Sequence, residues 1–225
     1  MNKITDEEFR KLTRNAEVLM SDNYGVKVLQ TPDWKIIKLY RLKKRFSSAL
    51  LYPYALRFLR NSLALKKRGI TTVDVESVYS VPGIKRDIVI YPRLAGTVLR
   101  DALKDSTGDS RKALLEHFAA FVAELHDKGI FFRSIHLGNI LVLPDGTFAL
   151  IDIGDMRFNF FGGLSLWHRL RNFGHMCRYS EDVNALADFE TIFLDTYLRS
   201  SNTGPCARSF FAKSLDRYIQ RMRSS

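Results

Sequence analysis

The chain of 225 residues is 46% hydrophobic with a formal charge of +11, enough apolar material for one substantial core or two small lobes packed together. Its longest apolar runs, such as "IFF" and "FALIDI", fall far short of the roughly 20 residues that cross a bilayer, and "MNKITDEEFRKL" is too polar for a secretory signal, so a cytoplasmic protein is expected. Cys177 and Cys206 lack CxxC spacing and a nearby His pair, which argues against a disulfide framework or a zinc site.

Along the chain, "TDEE" has the spacing of a capping box between Thr5 and Glu8 and predicts a short helix. Alternation in "VKVLQ" and "KIIKLY" around "TPDW" predicts an antiparallel hairpin. Next, "PYALRFLRNSLALKKRG" repeats Leu56, Leu59 and Leu63 at helical intervals with basic residues between, and Gly69 supplies the stop. "DVESVYSV" and "RDIVIYPRL" return to strand character, separated by "PG". The turn-rich "GTVLRDALKDSTGDS" suits a connection between lobes. The clearest helix follows: "RKALLEHFAAFVAELHDKG" has a stripe of Leu114, Phe118, Phe121, Val122 and Leu125, with Ser110 or Asp109 as cap and Gly129 as stop. After it, "FRSIHLGN" leads into two apolar runs joined by "PDG" and then "IDIGD", and the remaining helices are expected around "LWHRLRNFGHMCRY" and "DVNALADFETIFLDTYL". Strands first and helices later indicate an α+β protein.

Charge is unevenly placed. From Lys35 to Arg68 there are 11 basic residues and no Asp or Glu. A field of one sign attracts polyanions, among them anionic lipid headgroups, phosphorylated glycolipid and nucleotide phosphate. The segment "RFNFFGGLSLWHRLRNF" mixes aromatic and basic residues, which suits either a core or a lipid headgroup surface. No RRM or zinc-finger signature accompanies the charge, so no specific nucleic-acid partner is expected.

The order of hairpin with central Lys, helix, strands, long helix, loop with Asn, paired strands and Asp resembles the protein kinase-like superfamily. Within it, "KIIKLYR", "KKRGI", "ELHDKGI" and "HLGNIL…IDIGD" are similar to the lipopolysaccharide core kinases and toluene tolerance proteins of Gram-negative bacteria. The resemblance implies a bilobal protein kinase-like fold with a small β-rich N-lobe over residues 1–96 and a helical C-lobe over 97–225. It also implies a phosphotransferase using ATP and Mg2+ on a sugar hydroxyl of the lipopolysaccharide core or a phosphorylated glycolipid, with peripheral contact at an anionic inner membrane.

On that resemblance, Asn139 and Asp152 match the magnesium ligands, hard oxygen donors as the ion requires. Lys38 matches the strand lysine on the nucleotide phosphates, and Tyr91 and Arg93 fall at the hinge that holds adenine. Arg133 matches the Arg beside the catalytic position. Three departures stand out. The helix after the hairpin carries no acid to pair with Lys38, so either another carboxylate, such as Glu17 or Asp152, serves or nucleotide phosphates hold it when they bind; Gly25 alone stands where a glycine-rich loop covers phosphates; and Ser134 occupies the place of the catalytic Asp. An unassisted Ser is no base near neutral pH, so His136 or Asp155 is the candidate to assist it. A pseudokinase that binds nucleotide or a partner enzyme is the alternative reading.

Overall fold

The structure, a computed structural model, describes residues 1–41, 53–186, 192–204 and 208–214. Lys43, Lys44 and Arg45 of the basic segment and Cys206 lie outside the described residues. The chain divides into two compact units, Met1–Ala95 with Asp152–Gly154, and Gly96–Ile151 with Asp155–Ser225.

The first unit holds β1 (Asn2–Lys3), α1 (Asp6–Leu12), β2 (Glu17–Asp22), β3 (Gly25–Gln30), β4 (Lys35–Arg41), α2 (Tyr54–Lys67), β5 (Ser77–Val81) and β6 (Arg86–Pro92). One six-stranded sheet runs in the order β1-β5-β6-β4-β3-β2. Its core gathers Leu29, Ile37, Val81, Ile88 and Ile90. The capping box forms as expected, with Glu8 N–H donating to Thr5 Oγ1 and Thr5 N–H to the Glu8 carboxylate. The β3–β4 hairpin forms as well; Thr31 Oγ1 accepts from Lys35 N at 3.1 Å, and Trp34 takes the left-handed backbone that closes the turn. β1 and β2 carried no strand signal in the sequence. Both are fully exposed, so neither shows the alternation that burial of one face imposes.

α2 ends before Gly69, which adopts φ +68. Its buried face, however, is Ala55, Phe58, Asn61, Ser62 and Leu65; Leu63 is exposed, and Leu56 and Leu59 are half-buried. The leucine spacing therefore picked the wrong stripe: the face that packs is set by Phe58, stacked on Tyr91, and by Ser62, whose hydroxyl donates to Val73 O at 2.7 Å.

The second unit holds β7 (Thr97–Val98), α3 (Leu99–Asp105), α4 (Gly108–Asp127), β8 (Ile130–Phe132), β9 (Ile140–Val142), β10 (Phe148–Leu150), β11 (Met156–Phe158), α5 (Leu166–Met176), α6 (Ser180–Ala185) and α7 (Leu194–Ser200). The stretch expected as a bare connection supplies β7 and α3, whose Leu99 and Leu103 are fully buried. Two apolar residues one turn apart gave too short a periodic signal among Thr, Asp, Gly and Ser. The N-cap position of α4 is Thr107 rather than Asp109 or Ser110, and Ser110 Oγ instead donates to Thr107 O at 2.7 Å. Phe118, Phe121, Val122 and Leu125 are buried as predicted, while Leu115 replaces Leu114. β9 and β10 form the expected "PDG" hairpin, to which β7 adds. β8 pairs with β11, a strand between "IDIGD" and the first of the C-terminal helices.

Candidate functional site

In the first unit, Lys38 lies on β4 between Val28 of β3 and Val89 of β6. A strand flanked on both sides fixes its backbone, and the side chain is only 15% exposed. An ammonium this enclosed needs a charged or polarisable partner. Lys38 Nζ forms an ion pair with Asp152 and stands 5.9 Å and 5.7 Å from the ring centroids of Tyr40 and Phe58. Of the two carboxylates open to it, Asp152 is thus the partner, and Glu17 sits exposed on β2 opposite Gln30.

Asp152 adopts φ +52, left-handed backbone that costs a residue with a Cβ unless its surroundings impose it. One such restraint is visible. Asn61 Nδ2, from the buried face of α2, donates to the carbonyl of Ile153 at 2.6 Å, and Ile153 is itself fully buried. Gly154 follows, where an added Cβ would stand 3.8 Å from Tyr40 Oη. That hydroxyl is buried and has no hydrogen-bond partner among the described residues. Burial pushes the Tyr40 and Tyr91 hydroxyls well above their ordinary range, and the Asp152 charge adds to it. Asn61 is the residue that sequence reasoning passed over; a polar side chain on the apolar side of a helix was the available signal.

In the second unit, a 3-10 turn, Leu137–Asn139, shapes the loop between β8 and β9. Asn139 Nδ2 donates to Ser134 O at 2.9 Å, and His136 N–H donates to the same carbonyl at 2.8 Å. With its NH2 end tied to the loop, the Asn139 amide keeps its oxygen for a cation, and the half-exposed Asp152 carboxylate is also a hard oxygen donor. Each is, by itself, the kind of donor that magnesium takes. Among the described residues no group of three or more His, Cys, Asp or Glu side chains gathers as a metal site.

Ser134 is half-buried in this loop. The two groups expected to assist it are both engaged. Asp155 Oδ2 pairs with Arg133 Nη1 at 3.3 Å, and Arg133 N–H donates to Asp155 O at 3.2 Å. His136 meets the Tyr179 ring edge-on, with centroids 5.0 Å apart, and its Nδ1 would lie 3.1 Å from a Cβ added at Gly138.

Behind this loop runs a buried polar chain that the sequence did not announce. Arg169 Nη1 donates to Tyr197 Oη at 3.1 Å, and Tyr197 Oη lies 2.8 Å from His126 Nδ1. His126 Nε2 lies 3.1 Å from Asn172 Oδ1, and Asn172 Nδ2 donates to Phe132 O at 2.7 Å. The only consistent proton assignment makes Nε2 of a neutral His126 the donor to Asn172 and Nδ1 the acceptor from tyrosine. Burial accordingly pushes the His126 pKa down to about 3. Because Phe132 immediately precedes Arg133, the chain fixes where the loop leaves β8.

The remaining expected positions are in the first unit. Gly25 has φ +105 and closes the β2–β3 turn, where Tyr24 N–H donates to Asp22 Oδ1 at 2.8 Å and Arg86 Nη2 to Tyr24 O at 2.7 Å. Its conformational freedom is used by the hairpin. Tyr91 is buried and stacks on Phe58 with centroids 5.5 Å apart. Pro92 has no N–H to offer, and that of Arg93 donates to Trp34 O at 2.9 Å. The basic segment is partly neutralised: Lys35 pairs with Glu76 at 2.9 Å, and Lys66 pairs with Asp74.

No protein-family profile matches the sequence. No curated protein matches it either. Among solved structures, a chain of Toxoplasma described as a divergent kinase lacking the glycine-rich loop, which regulates membrane ultrastructure of the parasitophorous vacuole, superposes with a TM-score of 0.50 at 18% identity, covering 95% of this chain and 85% of that one. WbdD, co-crystallised with a kinase inhibitor, superposes with a TM-score of 0.48 at 14% identity over 86% of this chain, which spans only 43% of the WbdD chain. The fold is α+β and protein kinase-like.

Proposed function

We propose that the chain is an ATP- and magnesium-dependent phosphotransferase acting on a sugar hydroxyl of a lipopolysaccharide core. The observation that carries the phosphotransferase reading is the Lys38–Asp152 pair, with Asp152 in left-handed backbone and Asn61 bonded beside it. Left-handed backbone at the carboxylate that partners an enclosed lysine is a combination that functional sites retain and that a merely structural turn has no need of. Magnesium, when bound, neutralises phosphate charge. Asp152 and Asn139 would hold it through their side-chain oxygens, Lys38 would release Asp152 to take up a nucleotide phosphate oxygen, and Arg133 with Asp155 would brace the loop that carries Ser134. The acceptor class is supported by the likeness of "KIIKLYR", "ELHDKGI" and "HLGNIL…IDIGD" to core kinases.

A second reading has its own support. Ser134 stands where a carboxylate base is expected, Asp155 is paired with Arg133, and His136 packs against Tyr179. These features favour a module that binds nucleotide without turnover. The single glycine of the β2–β3 turn does not decide between the two, since the Toxoplasma neighbour described as a kinase also lacks a glycine-rich loop.

Phosphate transfer from ATP to purified core oligosaccharide separates the readings. Transfer that disappears in Asp152→Ala and Asn139→Ala supports the enzyme. Nucleotide binding without transfer to any core acceptor supports the module, and transfer undiminished in both variants refutes the site.

A further inference from the structure

Between β11 and α5 the chain presents "NFFGG", residues 159 to 163, with Phe160 74% and Phe161 97% exposed. Trp167, in the first turn of α5, is 60% exposed. Solvent normally drives such side chains inward, and a cluster of them marks a surface that meets something apolar.

The loop is held by the fold. Asn159 N–H donates to Gly129 O and Leu164 N–H to His126 O, each at 2.7 Å, and Asn159 Nδ2 closes the loop on Gly163 O at 3.1 Å. Gly129 and Gly163 allow this approach: a Cβ at Gly129 would stand 2.6 Å from Gly162 O, and one at Gly163 3.2 Å from His126 O. Beneath it, the Arg169 guanidinium donates to Leu164 O at 2.9 Å and to Asp127 Oδ1 at 2.6 Å. The phenylalanines are therefore presented outward by a loop whose two ends are fixed.

Charge decides what they meet. From Met156 to Ser180 the sequence contains no Asp or Glu, while Arg157, Arg171 and Arg178 are exposed. Arg171 lies over the Trp167 ring, 5.2 Å from its centroid, so cation and aromatic share one face of α5. Exposed aromatic tips in a segment that carries arginine and no acid of its own suit the boundary of an anionic bilayer, where rings enter the headgroup region and guanidinium groups stay with the phosphates. No described helix is long and apolar enough to cross a membrane.

We infer that the 159–163 loop and the first turn of α5 dock the protein on anionic membrane surfaces, with Phe160, Phe161 and Trp167 entering the interface and Arg157 and Arg171 contacting lipid phosphate. The inference stands independently of phosphotransfer, and its test uses no activity. Sedimentation with vesicles of phosphatidylglycerol and phosphatidylethanolamine, against phosphatidylcholine alone, is the measurement. The full chain is expected to bind the anionic vesicles. Phe160→Ser with Phe161→Ser should weaken binding at least about tenfold, as should Arg171→Glu, while Trp34→Ala, removing an aromatic exposed elsewhere, should leave it unchanged. Because Phe160 and Phe161 contribute little buried surface, circular dichroism should show the double variant folded. Three results overturn the inference: no binding by the unaltered chain, binding unaffected by the double variant (which would put it on the Lys35–Arg68 segment), or a vesicle-free dimer that the double variant converts to monomer.

Discussion

Asn61 of α2 donates its side-chain amide to the carbonyl of Ile153, 92 residues further along the chain, at 2.6 Å. The helix that presents no acid to Lys38 thus acts one step removed. It fixes the backbone beside Asp152, and Asp152 itself meets the lysine.

Removing that amide leaves a buried carbonyl without its donor. Asn61→Ala is expected to destabilise the fold by about 1–3 kcal/mol, read as a lower urea midpoint with an unchanged slope. Nucleotide affinity should fall beyond what the loss of folded protein explains, since Asp152 would no longer be held in its strained conformation. Stability lost with nucleotide affinity intact would show that the bond serves packing alone.

At the loop, Ser134 is expected to contribute nothing as a base. Ser134→Ala should keep phosphate transfer within about threefold, and Ser134→Asp should raise it at least about tenfold, because a positioned base is worth roughly a hundredfold or more where one is missing. Steady-state transfer to core oligosaccharide checks both. A large loss in Ser134→Ala would assign the hydroxyl a direct role.

His126 sets a pH dependence of known sign. Its ordinary value is near 6.5, and in the fold burial takes it down to about 3. Between those values the unfolded chain binds a proton that the native chain does not, so the contribution is fully present above about pH 6.5 and is lost as pH falls towards 3. The urea midpoint should therefore drop between about pH 7.5 and about pH 5, and the drop should be smaller in His126→Gln. An equal drop in both proteins would place the acid sensitivity elsewhere.

Much of this was legible before the structure. The Thr5–Glu8 box, the hairpin around "TPDW", the "PDG" hairpin and the long helix ending at Gly129 are each written by local chemistry, through a cap, a turn or a period. Thr5→Ala is accordingly expected to cost about 1 kcal/mol in thermal unfolding measurements. β1 and β2 escaped because exposed strands need not alternate, and α3 because two buried leucines make too short a period. At the site, Lys38 and Asp152 were legible as residue types in order, and their direct pairing was one of three options, beside Glu17 and bound nucleotide phosphates. The Asn61 bond and the chain from Arg169 through Tyr197, His126 and Asn172 to Phe132 were not, because each joins polar residues far apart in sequence.

The proposed phosphotransferase makes Asp152, Asn139 and Lys38 each necessary for binding nucleotide together with magnesium. Calorimetric titration of the full chain with ATP, with and without magnesium, tests it most directly. Binding should require magnesium and weaken at least about tenfold in Asp152→Asn and in Asn139→Leu, the range expected for losing one ligand of such a site, while Ser134→Ala binds as the unaltered chain does. Binding indifferent to magnesium, or equal in all four proteins, would contradict it.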